Sequence, residues 1–315
     1  MKYDTETRPA GVSSITGEVL TEAMPWIKKI TGETIVIKYG GSAMEDPALR
    51  AEVMADIILL KIIGVNPVIV HGGGKAITAA MNRFQLPVEF VDGQRVTTDD
   101  AMDVVRMVLT GRVNQELVEA MNEHGNMAVG ISGTDAGVIV AEQADPRLGR
   151  VGSITRINTP LIEDLVAADY IPVIATIAIG EDGGCYNVNA DVAAGHIAAA
   201  IGAHKVFFLT DVDGLYEDYP DRSTLISSMT AEEARAMIEA GAVATGMIPK
   251  LRSSVYALDA GVKKGHIING TTPHALLLEI LTNNGIGTMV TGDAPAEAFA
   301  APLGNFAAKL IENRA

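Results

Sequence analysis

Short apolar runs alternate with longer amphipathic stretches over most of the chain. Runs rich in β-branched residues predict strands at residues 34–38, 67–70, 127–131, 171–177, 206–209, 266–268 and 288–290. Apolar positions at helical spacing predict helices at residues 47–63, 76–84, 99–124, 192–201, 231–240 and 250–260. Such alternation is typical of β-α units around a mostly parallel sheet, and strands that are apolar throughout need helices on both faces. The pattern therefore predicts an α/β fold of three layers, with helices on both sides of a central sheet.

The N-terminus and one internal segment depart from this alternation. Residues 1 to about 12 are polar and irregular, and residues 13–30 predict an N-terminal helix that Pro25 interrupts. Between residues 137 and 157 the pattern favours strands joined by hairpins, as in an antiparallel flap. We predict a mobile start and a helix within residues 1–30, followed by one continuous fold of two lobes, residues 31–180 and 181–315.

Composition and charge limit the cellular roles. The 315 residues are 48% hydrophobic but only 4% aromatic, which predicts a core of aliphatic side chains. A net charge of −15 argues against non-specific binding to nucleic acid or to anionic membranes. A single cysteine, Cys185, excludes an intramolecular disulfide and fits a reducing compartment. Because the N-terminus lacks a signal-peptide pattern, and Asp169 and Pro172 interrupt the apolar stretch 165–179, we expect a soluble, cytoplasmic protein.

Two glycine-rich segments follow predicted strands. In the first, Lys38 precedes Gly40 and Gly41, whose backbone N–H groups can approach an anion closely; a tight turn with an exposed lysine is the alternative. In the second, three glycines at residues 72–74 lead into a helix, where free amides and the helix dipole favour an anion. We expect His71, just before them, to be hydrogen-bonded beneath the loop. Neither segment is a Walker A loop or a Gly-x-Gly-x-x-Gly fingerprint.

Four further polar segments each have a functional and a purely structural interpretation. Arg95, beside a turn, is suited to grip a carboxylate bidentately or is a solvated surface residue. Asn187 and Asp191 precede a helix as part of a site or as capping residues. Residues 210–216 end a strand at the edge where open α/β sheets bind ligands, although acidic residues also shape loops. Lys250 starts a helix and, taken alone, reads as a surface lysine.

Taken together and in this order, these segments resemble the amino acid kinase family, and most closely its N-acetylglutamate kinases. The resemblance is carried by Lys38-Tyr39-Gly40-Gly41, His71-Gly72-Gly73-Gly74, Asp92-Gly93-Gln94-Arg95-Val96-Thr97, Asn187-Val188-Asn189-Ala190-Asp191 and Gly246-Met247-Ile248-Pro249-Lys250. It extends from about residue 13 to residue 290, and five weak motifs in matching order are specific. It implies the amino acid kinase fold and ATP-dependent phosphorylation of the γ-carboxylate of N-acetyl-L-glutamate, an early step of arginine biosynthesis. Residues 31–180 would bind the acceptor, and residues 181–315 would bind ATP.

The resemblance also implies a role for each matching position. Lys38 and Lys250 would be catalytic and flank the transferring phosphoryl group, and Asp191 would orient them. The acceptor would be held by Gly73, Gly74, Arg95 and Asn187. The phosphates and the nucleotide would be bound by Gly40, Gly41, Gly72, Thr210, Asp211, Gly214 and Tyr216. Mg²⁺ would be held mainly by ATP oxygens and water, so no protein metal ligand is expected.

A second resemblance, to the arginine-inhibited branch of the family, rests on the two ends of the chain. It involves the N-terminal helix and the segments Gly265-His266-Ile267-Ile268-Asn269-Gly270, His274-Ala275-Leu276-Leu277-Leu278-Glu279 and Gly285-Ile286-Gly287-Thr288. In that branch N-terminal helices interlace dimers into a hexamer, a trimer of dimers, and L-arginine binds nearby. The effector would contact Trp26, His266, Glu279 and Gly285, with Glu279 at the guanidinium; the alternative for Glu279 is a solvated helix residue. Two positions depart from the pattern, since Trp26 stands where tyrosine is common and Asn269 where we expect aspartate.

Three rival functions stay open at this point. Another kinase of the same fold is the nearest, although an aspartokinase would need C-terminal regulatory domains, a uridylate kinase would lack the segment at residues 92–97, and a carbamate kinase would need an insertion. A catalytically silent arginine or nucleotide sensor is the second, and the presence of Lys38, Asp191 and Lys250 argues against it. A nicotinamide oxidoreductase is the third, and it would need a fingerprint loop.

Overall fold

The computed structural model describes residues 12–283 and 285–292. Most of the polar segment predicted at residues 1–12, and the last part of the predicted C-terminal lobe, residues 293–315, lie outside the described residues. The strands are β1 (Thr34–Tyr39), β2 (Asn66–His71), β3 (Phe90–Val91), β4 (Gln94–Arg95), β5 (Ala128–Ser132), β6 (Ile139–Gln143), β7 (Gly152–Ile157), β8 (Ile171–Ala175), β9 (Ile177–Gly180), β10 (Cys185–Asn187), β11 (Lys205–Thr210), β12 (Ser228–Thr230), β13 (Lys264–Asn269) and β14 (Thr288–Thr291). The α-helices are α1 (Val12–Ile30), α2 (Pro47–Ile62), α3 (Gly74–Arg83), α4 (Asp99–Val108), α5 (Asn114–Asn122), α6 (Pro160–Ala167), α7 (Ala190–Ala200), α8 (Ala231–Glu239), α9 (Ile248–Asp259) and α10 (Ala275–Leu281).

Eight strands form the central sheet in the order β12-β14-β13-β11-β1-β2-β8-β5. All of the neighbouring strands are parallel except β13 and β14. Each of the seven predicted strands lies in this sheet, although the predicted strand 171–177 breaks at Thr176, and its end belongs to β9 in a second sheet. The mostly parallel α/β fold is thus confirmed.

The core lies on both faces of this sheet because side chains alternate along each strand. Ile35 and Ile37 of β1 belong to a buried cluster with α2, α5 and α10. Val36, between them, belongs to a second cluster with α7 and α9 on the opposite face. Aliphatic residues dominate both clusters, as the low aromatic content predicts. Two apolar layers of helices around one sheet confirm the predicted three-layer arrangement.

The predicted flap is also present. The strands β6 and β7 pair antiparallel and form a four-stranded sheet in the order β10-β9-β6-β7. Strands β3 and β4 form a separate hairpin around Gly93, at φ 77°. The lobe boundary near residue 180 stays a prediction; the central sheet is continuous across it, since β11 pairs with β1.

The helix predicted over residues 99–124 is not one regular helix. It divides into α4 and α5 around a π-helical turn, Leu109–Val113. A prediction based on the 3.6-residue period cannot detect one such turn, because the apolar pattern continues on either side. The short elements α6, α10 and β12 were also not predicted. No helix in the described part of the chain has both the length and the apolar character needed to cross a membrane.

Candidate active site

The carboxyl ends of three neighbouring strands bring the predicted loops to one edge of the sheet. Strand β1 lies between β2 and β11, with Lys38 level with Val70 on one side and Phe208 on the other. The glycines after β1, the glycines after β2 and the turn after β11 therefore meet, as expected where open α/β sheets bind ligands.

A carboxylate bridges the two predicted catalytic lysines. Asp191 lies in the first turn of α7, where the side chain of Asn189 caps the helix by accepting from the N–H groups of Asp191 and Val192. Lys250 Nζ donates to Asp191 Oδ2 at 3.0 Å, and Lys38 Nζ lies 3.3 Å from Oδ1. The second contact is an ion pair without hydrogen-bond alignment, since Oδ1 has no hydrogen-bond partner among the described residues.

The charges of this cluster do not cancel. Burial alone would raise the pKa of Asp191, but the ammonium groups of Lys38 and Lys250 outweigh it and hold that pKa below its ordinary value. Two cations and one anion leave a net positive charge where few side-chain atoms reach water, since Lys38 and Lys250 are 12% and 11% exposed. A buried excess of positive charge stabilises the additional negative charge of a phosphoryl group.

The first glycine loop is shaped by two contacts that leave no room for side chains. At Gly40, an added Cβ would lie 2.8 Å from Lys38 Nζ, so the glycine lets the ammonium group fold back over the backbone. Gly41 has a φ of 79°, and an added Cβ would lie 2.6 Å from Asp211 Oδ1. The same carboxylate oxygen accepts the N–H of Ser42 at 2.7 Å. Asp211 therefore ties the turn after β11 to the loop after β1.

The second glycine loop leads directly into α3. Gly73 is the residue before the first helical turn, and no side chain caps that turn. The N–H groups of the first turn of α3 are thus available to an anion, together with the positive end of the helix dipole. An added Cβ on Gly73 would lie 2.7 Å from Leu109 Cδ2 and 3.2 Å from Val113 Cγ2, so the π-helical turn packs directly on the loop.

The predicted position of His71 beneath this loop is confirmed. The ring is fully buried, with Nδ1 at 3.0 Å from the carbonyl oxygen of Gly72 and Nε2 at 3.0 Å from Asn114 Nδ2. Burial lowers the pKa of His71 to about 4, so the ring is neutral at physiological pH. Both ring nitrogens are therefore engaged, one with the backbone of the loop and the other with Asn114.

Arg95 is not the solvated residue that its local sequence allows. It is 8% exposed, and its guanidinium donates to Gly74 O at 2.9 Å and to Thr78 Oγ1 at 2.7 Å. Phe90, on the partner strand of the hairpin, stacks under the guanidinium with its centroid 4.7 Å away. Burial lowers the pKa of Arg95. The cation is therefore held in one orientation against the glycine loop.

Most of the predicted residues line one cavity of about 260 Å³. Its wall contains Lys38, Gly40, Gly41, Gly72, Gly73, Gly74, Arg95, Asn187 and Asp191 from the predicted set, together with Ile77, Phe90, Gly93, Gln94, Leu109, Val151, Thr176, Val188, Asn189 and Ala190. Lys250 reaches this site through Asp191 and does not line the cavity. Sequence reasoning missed two residues of this wall that belong to no motif. Leu109 begins the π-helical turn, and Thr176 lies between β8 and β9.

A larger cavity, about 670 Å³, lies on the other side of the same glycine loops. Its charged residues pair with one another: Arg50 and Arg112 each lie 3.0 Å from Glu116, and Lys75 lies 3.0 Å from Glu45. We assign the site to the smaller cavity, because Lys38, Asp191 and Arg95 converge there.

Of the residues predicted to border the nucleotide, Tyr216 takes part in a separate hydrogen-bond network around Asp213. The side chain of Asn269 donates to Asp213 Oδ1 at 2.8 Å, and the hydroxyl of Tyr216 donates to Oδ2 at 2.8 Å. These bonds hold the pKa of Asp213 below its ordinary value. Thr210, Asp211, Gly214 and Tyr216 do not line the cavity, and their nucleotide role stays a prediction. Asn269 supplies a donor that aspartate lacks in its ionised form.

The predicted allosteric residues lie outside the candidate cavity. Glu279 is 8% exposed; its Oε1 lies 2.6 Å from His266 Nδ1, and its Oε2 accepts the N–H of Ile286 at 2.6 Å. Glu279 is therefore not a solvated helix residue. Helix α1, which carries Trp26, packs against α10. Lys205 was missed by the sequence analysis; burial and the nearby Lys264 lower its pKa to about 8.

Comparisons with known proteins agree with this geometry. The model of the amino acid kinase family matches residues 33–269. The chain is 48% identical to an acetylglutamate kinase from Caldanaerobacter subterraneus subsp. tengcongensis over 282 residues, which are 89% of this chain and 94% of the relative. It is 46% identical to an acetylglutamate kinase from Methanocaldococcus jannaschii over 288 residues, 88% of this chain and 96% of the relative.

A solved structure shows the same fold at lower identity. The N-acetylglutamate synthase of Neisseria gonorrhoeae, complexed with coenzyme A and N-acetyl-glutamate, superposes with a TM-score of 0.78 at 24% identity and covers 95% of this chain and 70% of its own. The family model matches most of the chain, and the matches to the two acetylglutamate kinases cover almost the whole length of those relatives. Both findings support one assignment. The chain belongs to the amino acid kinase family, among its acetylglutamate kinases.

Proposed function

We propose that this protein transfers the γ-phosphoryl group of ATP to the γ-carboxylate of N-acetyl-L-glutamate and forms N-acetyl-L-glutamyl 5-phosphate, an early step of arginine biosynthesis. The observation that carries the proposal is the Lys38–Asp191–Lys250 bridge beside a cavity that also contains Arg95 and the glycine amides. The reaction takes place in the cytoplasm, where ATP is available and where the lone thiol of Cys185 stays reduced.

Catalysis rests on alignment and on charge. The acceptor is a carboxylate and already a nucleophile, so no side chain has to remove a proton from it. Phosphoryl transfer spreads charge over the equatorial oxygens of the moving group, and fixed donors beside that group lower the barrier. Lys38 and Lys250 supply cations, Asp191 keeps them apart and oriented, and the amides at Gly40, Gly41 and residues 72–74 add donors.

The acceptor is held at the other end of the cavity. Arg95 uses Nη2 on Gly74 O and on Thr78 Oγ1, which fixes the plane of its guanidinium and leaves other N–H groups for the α-carboxylate of the acceptor. Asn187 donates to Thr97 Oγ1 at 3.3 Å and lines the same wall. Apolar Ile77 and Leu109 are suited to the acetyl methyl group.

Mg²⁺ enters this site with the nucleotide. Within residues 12–283 and 285–292, no group of three or more His, Cys, Asp or Glu side chains is arranged to hold a metal ion. The donor set fits an ion whose ligands are mainly phosphate oxygens and water. When bound with the nucleotide, Mg²⁺ would neutralise phosphate charge, and the lysines of the chain hold and orient the group that moves.

The second cluster supports inhibition by L-arginine. Glu279 and His266 lie beside Lys205 and Lys264, and the charge of Lys29 on α1 also reaches Lys205. A carboxylate with several lysines suits a zwitterion that carries a guanidinium and a carboxylate. Both oxygens of Glu279 are already engaged, so the guanidinium would share them with the N–H groups of His266 and Ile286. We extend the proposal to a hexamer in which α1 joins dimers.

The test is ATP-dependent formation of acyl phosphate, trapped as the hydroxamate. N-acetyl-L-glutamate is compared with L-glutamate, L-aspartate and carbamate, and UMP is followed by release of ADP. We expect turnover confined to N-acetylglutamate. Turnover with another acceptor would overturn the roles of Arg95 and Asn187, and no turnover with any acceptor would favour a silent sensor.

A further inference from the structure

The Gly72–Gly74 loop is held from beneath by His71, to which the resemblance assigns no role of its own, and by Asn114, which belongs to no motif. Asn114 is the first residue of α5, directly after the π-helical turn, and it is 2% exposed. We infer that Asn114 and His71 are positioning residues, which set the direction of the Gly73 N–H and thereby place the loop for phosphoryl transfer. This inference rests on the proposed function, because it describes how that same site is kept in order.

The hydrogen bonds fix which nitrogen of His71 carries the proton. Asn114 Nδ2 lies 2.8 Å from the carbonyl oxygen of Val173, which only accepts, so this atom is the amide NH₂ group. Two partners remain for its other hydrogen, His71 Nε2 at 3.0 Å and the carbonyl oxygen of Ile131 at 3.5 Å. The shorter distance assigns that hydrogen to His71 Nε2, which therefore accepts. The proton lies on Nδ1, which donates to Gly72 O at 3.0 Å. One buried amide thus determines the tautomer of the ring.

The tautomer in turn determines the orientation of a peptide group. In a trans peptide the C=O of Gly72 and the N–H of Gly73 point in opposite directions. Because His71 holds the carbonyl oxygen on the buried side, the N–H of Gly73 is directed away from the core, on the side of the cavity wall that Gly72 and Gly73 share. If His71 carried its proton on Nε2, Nδ1 would face Gly72 O with a lone pair, and the peptide would tend to rotate.

The π-helical turn brings Asn114 and Leu109 to the same face of the helix. Its defining bond runs from the N–H of Asn114 to the carbonyl oxygen of Leu109, five residues earlier. Leu109 then packs on Gly73 while Asn114 reaches His71. Gly130 leaves room for the side chain of Asn114, since a Cβ at this position would lie 1.9 Å from Asn114 Oδ1. Such turns are frequent at functional sites, and here one element fixes the loop at two points.

The tautomer is tested by ¹⁵N NMR of protein labelled at histidine, with the His71 signal identified by its loss in His71→Asn. We expect a neutral ring protonated on Nδ1 in the natural protein. In Asn114→Asp the carboxylate accepts where the amide donated, so we expect the proton to move to Nε2. A ring protonated on Nε2 in the natural protein, or an unchanged signal in Asn114→Asp, would overturn the inference. This readout does not depend on turnover.

Kinetics test the effect on the loop, with Asn114→Leu and Asn114→Asp compared with Asn122→Asp. Asn122 lies at the other end of the same helix, where it accepts from the N–H groups of Met127 and Ala128 and donates to the carbonyl oxygen of Ala128 at the start of β5. We expect kcat to fall about 10- to 100-fold in both Asn114 variants, with KM for either substrate changed by less than about threefold, while Asn122→Asp keeps its kcat.

Rescue separates positioning from general packing. His71→Asn retains an N–H group near the place of Nδ1–H, so we expect it to keep at least about tenfold more kcat than His71→Leu. Equal loss in these two variants, or a kcat for folded Asn114→Leu within about threefold of the natural protein, would overturn the inference. If Asn114→Leu does not fold, Asn114→Asp and the NMR tautomer decide. Failure of the natural protein to phosphorylate N-acetylglutamate would refute the proposed function and leave the tautomer result standing.

Discussion

Asp191 is the residue on which the two lysines depend, and each lysine can be tested without disturbing the fold. The carboxylate stays ionised between them, because their charges outweigh its burial. Removing Asp191 would leave two cations facing each other, which costs stability as well as activity. Removing one lysine leaves a balanced ion pair, so the lysines give the cleaner experiment.

Lys250→Ala is expected to lower kcat about 100-fold or more and to change KM for N-acetylglutamate by less than about threefold. The reason is that Lys250 contacts Asp191 and does not line the acceptor cavity, so it acts mainly on the charge of the transition state. Steady-state kinetics measure both constants. Lys263→Ala, at an exposed lysine, is the control. An unchanged kcat in Lys250→Ala would remove it from the mechanism.

His71 makes stability depend on pH in a defined direction. Its pKa is about 4 in the folded state and 6.5 as the ordinary value, so the unfolded chain binds the proton more tightly. Stability is therefore fully present above about pH 6.5 and is lost as the pH falls toward 4. Between pH 7 and pH 5 this amounts to about 2 kcal/mol. Urea unfolding at both pH values should show that loss in the natural protein and a smaller one in His71→Asn.

The matched substitution for that measurement is His124→Asn, at an exposed histidine. If His71→Asn lost as much stability between the two pH values as the natural protein, burial of a neutral His71 would not be the cause. Stability changes common to all three proteins report the carboxylates, which titrate in the same range.

At the residue scale, the sequence singled out charged residues that the structure brings together, but it carried no signal for buried polar ones. Lys38, Asp191 and Lys250 belong to motifs that follow strands or start helices, and the structure brings them together. Asn114 lies inside a long helical pattern, where nothing local distinguishes it from a surface amide. Lys205 likewise starts a strand and resembles a surface residue, although it is 8% exposed. Their roles come from contacts with distant parts of the chain.

Among the elements, the π-helical turn is the one that hydrophobic periodicity failed to predict. It packs directly on the second glycine loop of the candidate site. The sequence predicted a single helix over residues 99–124 because apolar positions recur throughout, and the extra residue changes their phase only slightly. The strands were easier to predict from the sequence, since each buried parallel strand is a continuous β-branched run between turns. The short strand β12 and helices α6 and α10 depend on neighbours for their stability, and their local patterns are weak.

Contact between this turn and the loop predicts the effect of Gly73→Ala. The added methyl group would lie 2.7 Å from Leu109 Cδ2, so either the loop or the turn must move. We expect kcat to fall about 10- to 100-fold, because a shift of about 1 Å near reacting groups is that costly. Gly111→Ala, on the exposed side of the same turn with nothing within 4 Å of the added group, is the control. Equal activity of the two variants would mean that the loop tolerates displacement.

At the scale of the whole molecule, the candidate site and the second cluster lie at different places on neighbouring strands. Strand β11 ends in the turn that contacts the first glycine loop through Asp211, and its neighbour β13 carries His266, level with Phe207 of β11. The net charge of −15 does not oppose phosphate binding, because the lysines act locally.

Helix α1 exposes apolar side chains over part of its length. Leu20 and Met24 are 62% and 63% exposed, whereas Ile30 at its end is buried in the core. Pro25 lies between these two parts of the helix. Neighbouring apolar side chains exposed on one helix are suited to association with another chain, and α1 also packs on α10, which carries Glu279. The amino-terminal half is therefore expected to join chains, and the other half to belong to the fold.

Removal of residues 1–24 should separate these two functions. We expect the mass by light scattering to fall from six chains to two and inhibition by L-arginine to weaken at least about tenfold, while kcat stays within about threefold, because the residues that line the cavity lie between Lys38 and Asp191, outside the removed segment. Leu20→Glu in the full chain should act in the same direction by placing a charge in the apolar contact, and Leu20→Met should not. A truncated protein that keeps its six-chain mass would show that other surfaces hold the assembly. If the mass fell but inhibition by arginine remained, the effector would bind and act within one chain, and the cluster around Glu279 would work without help from α1.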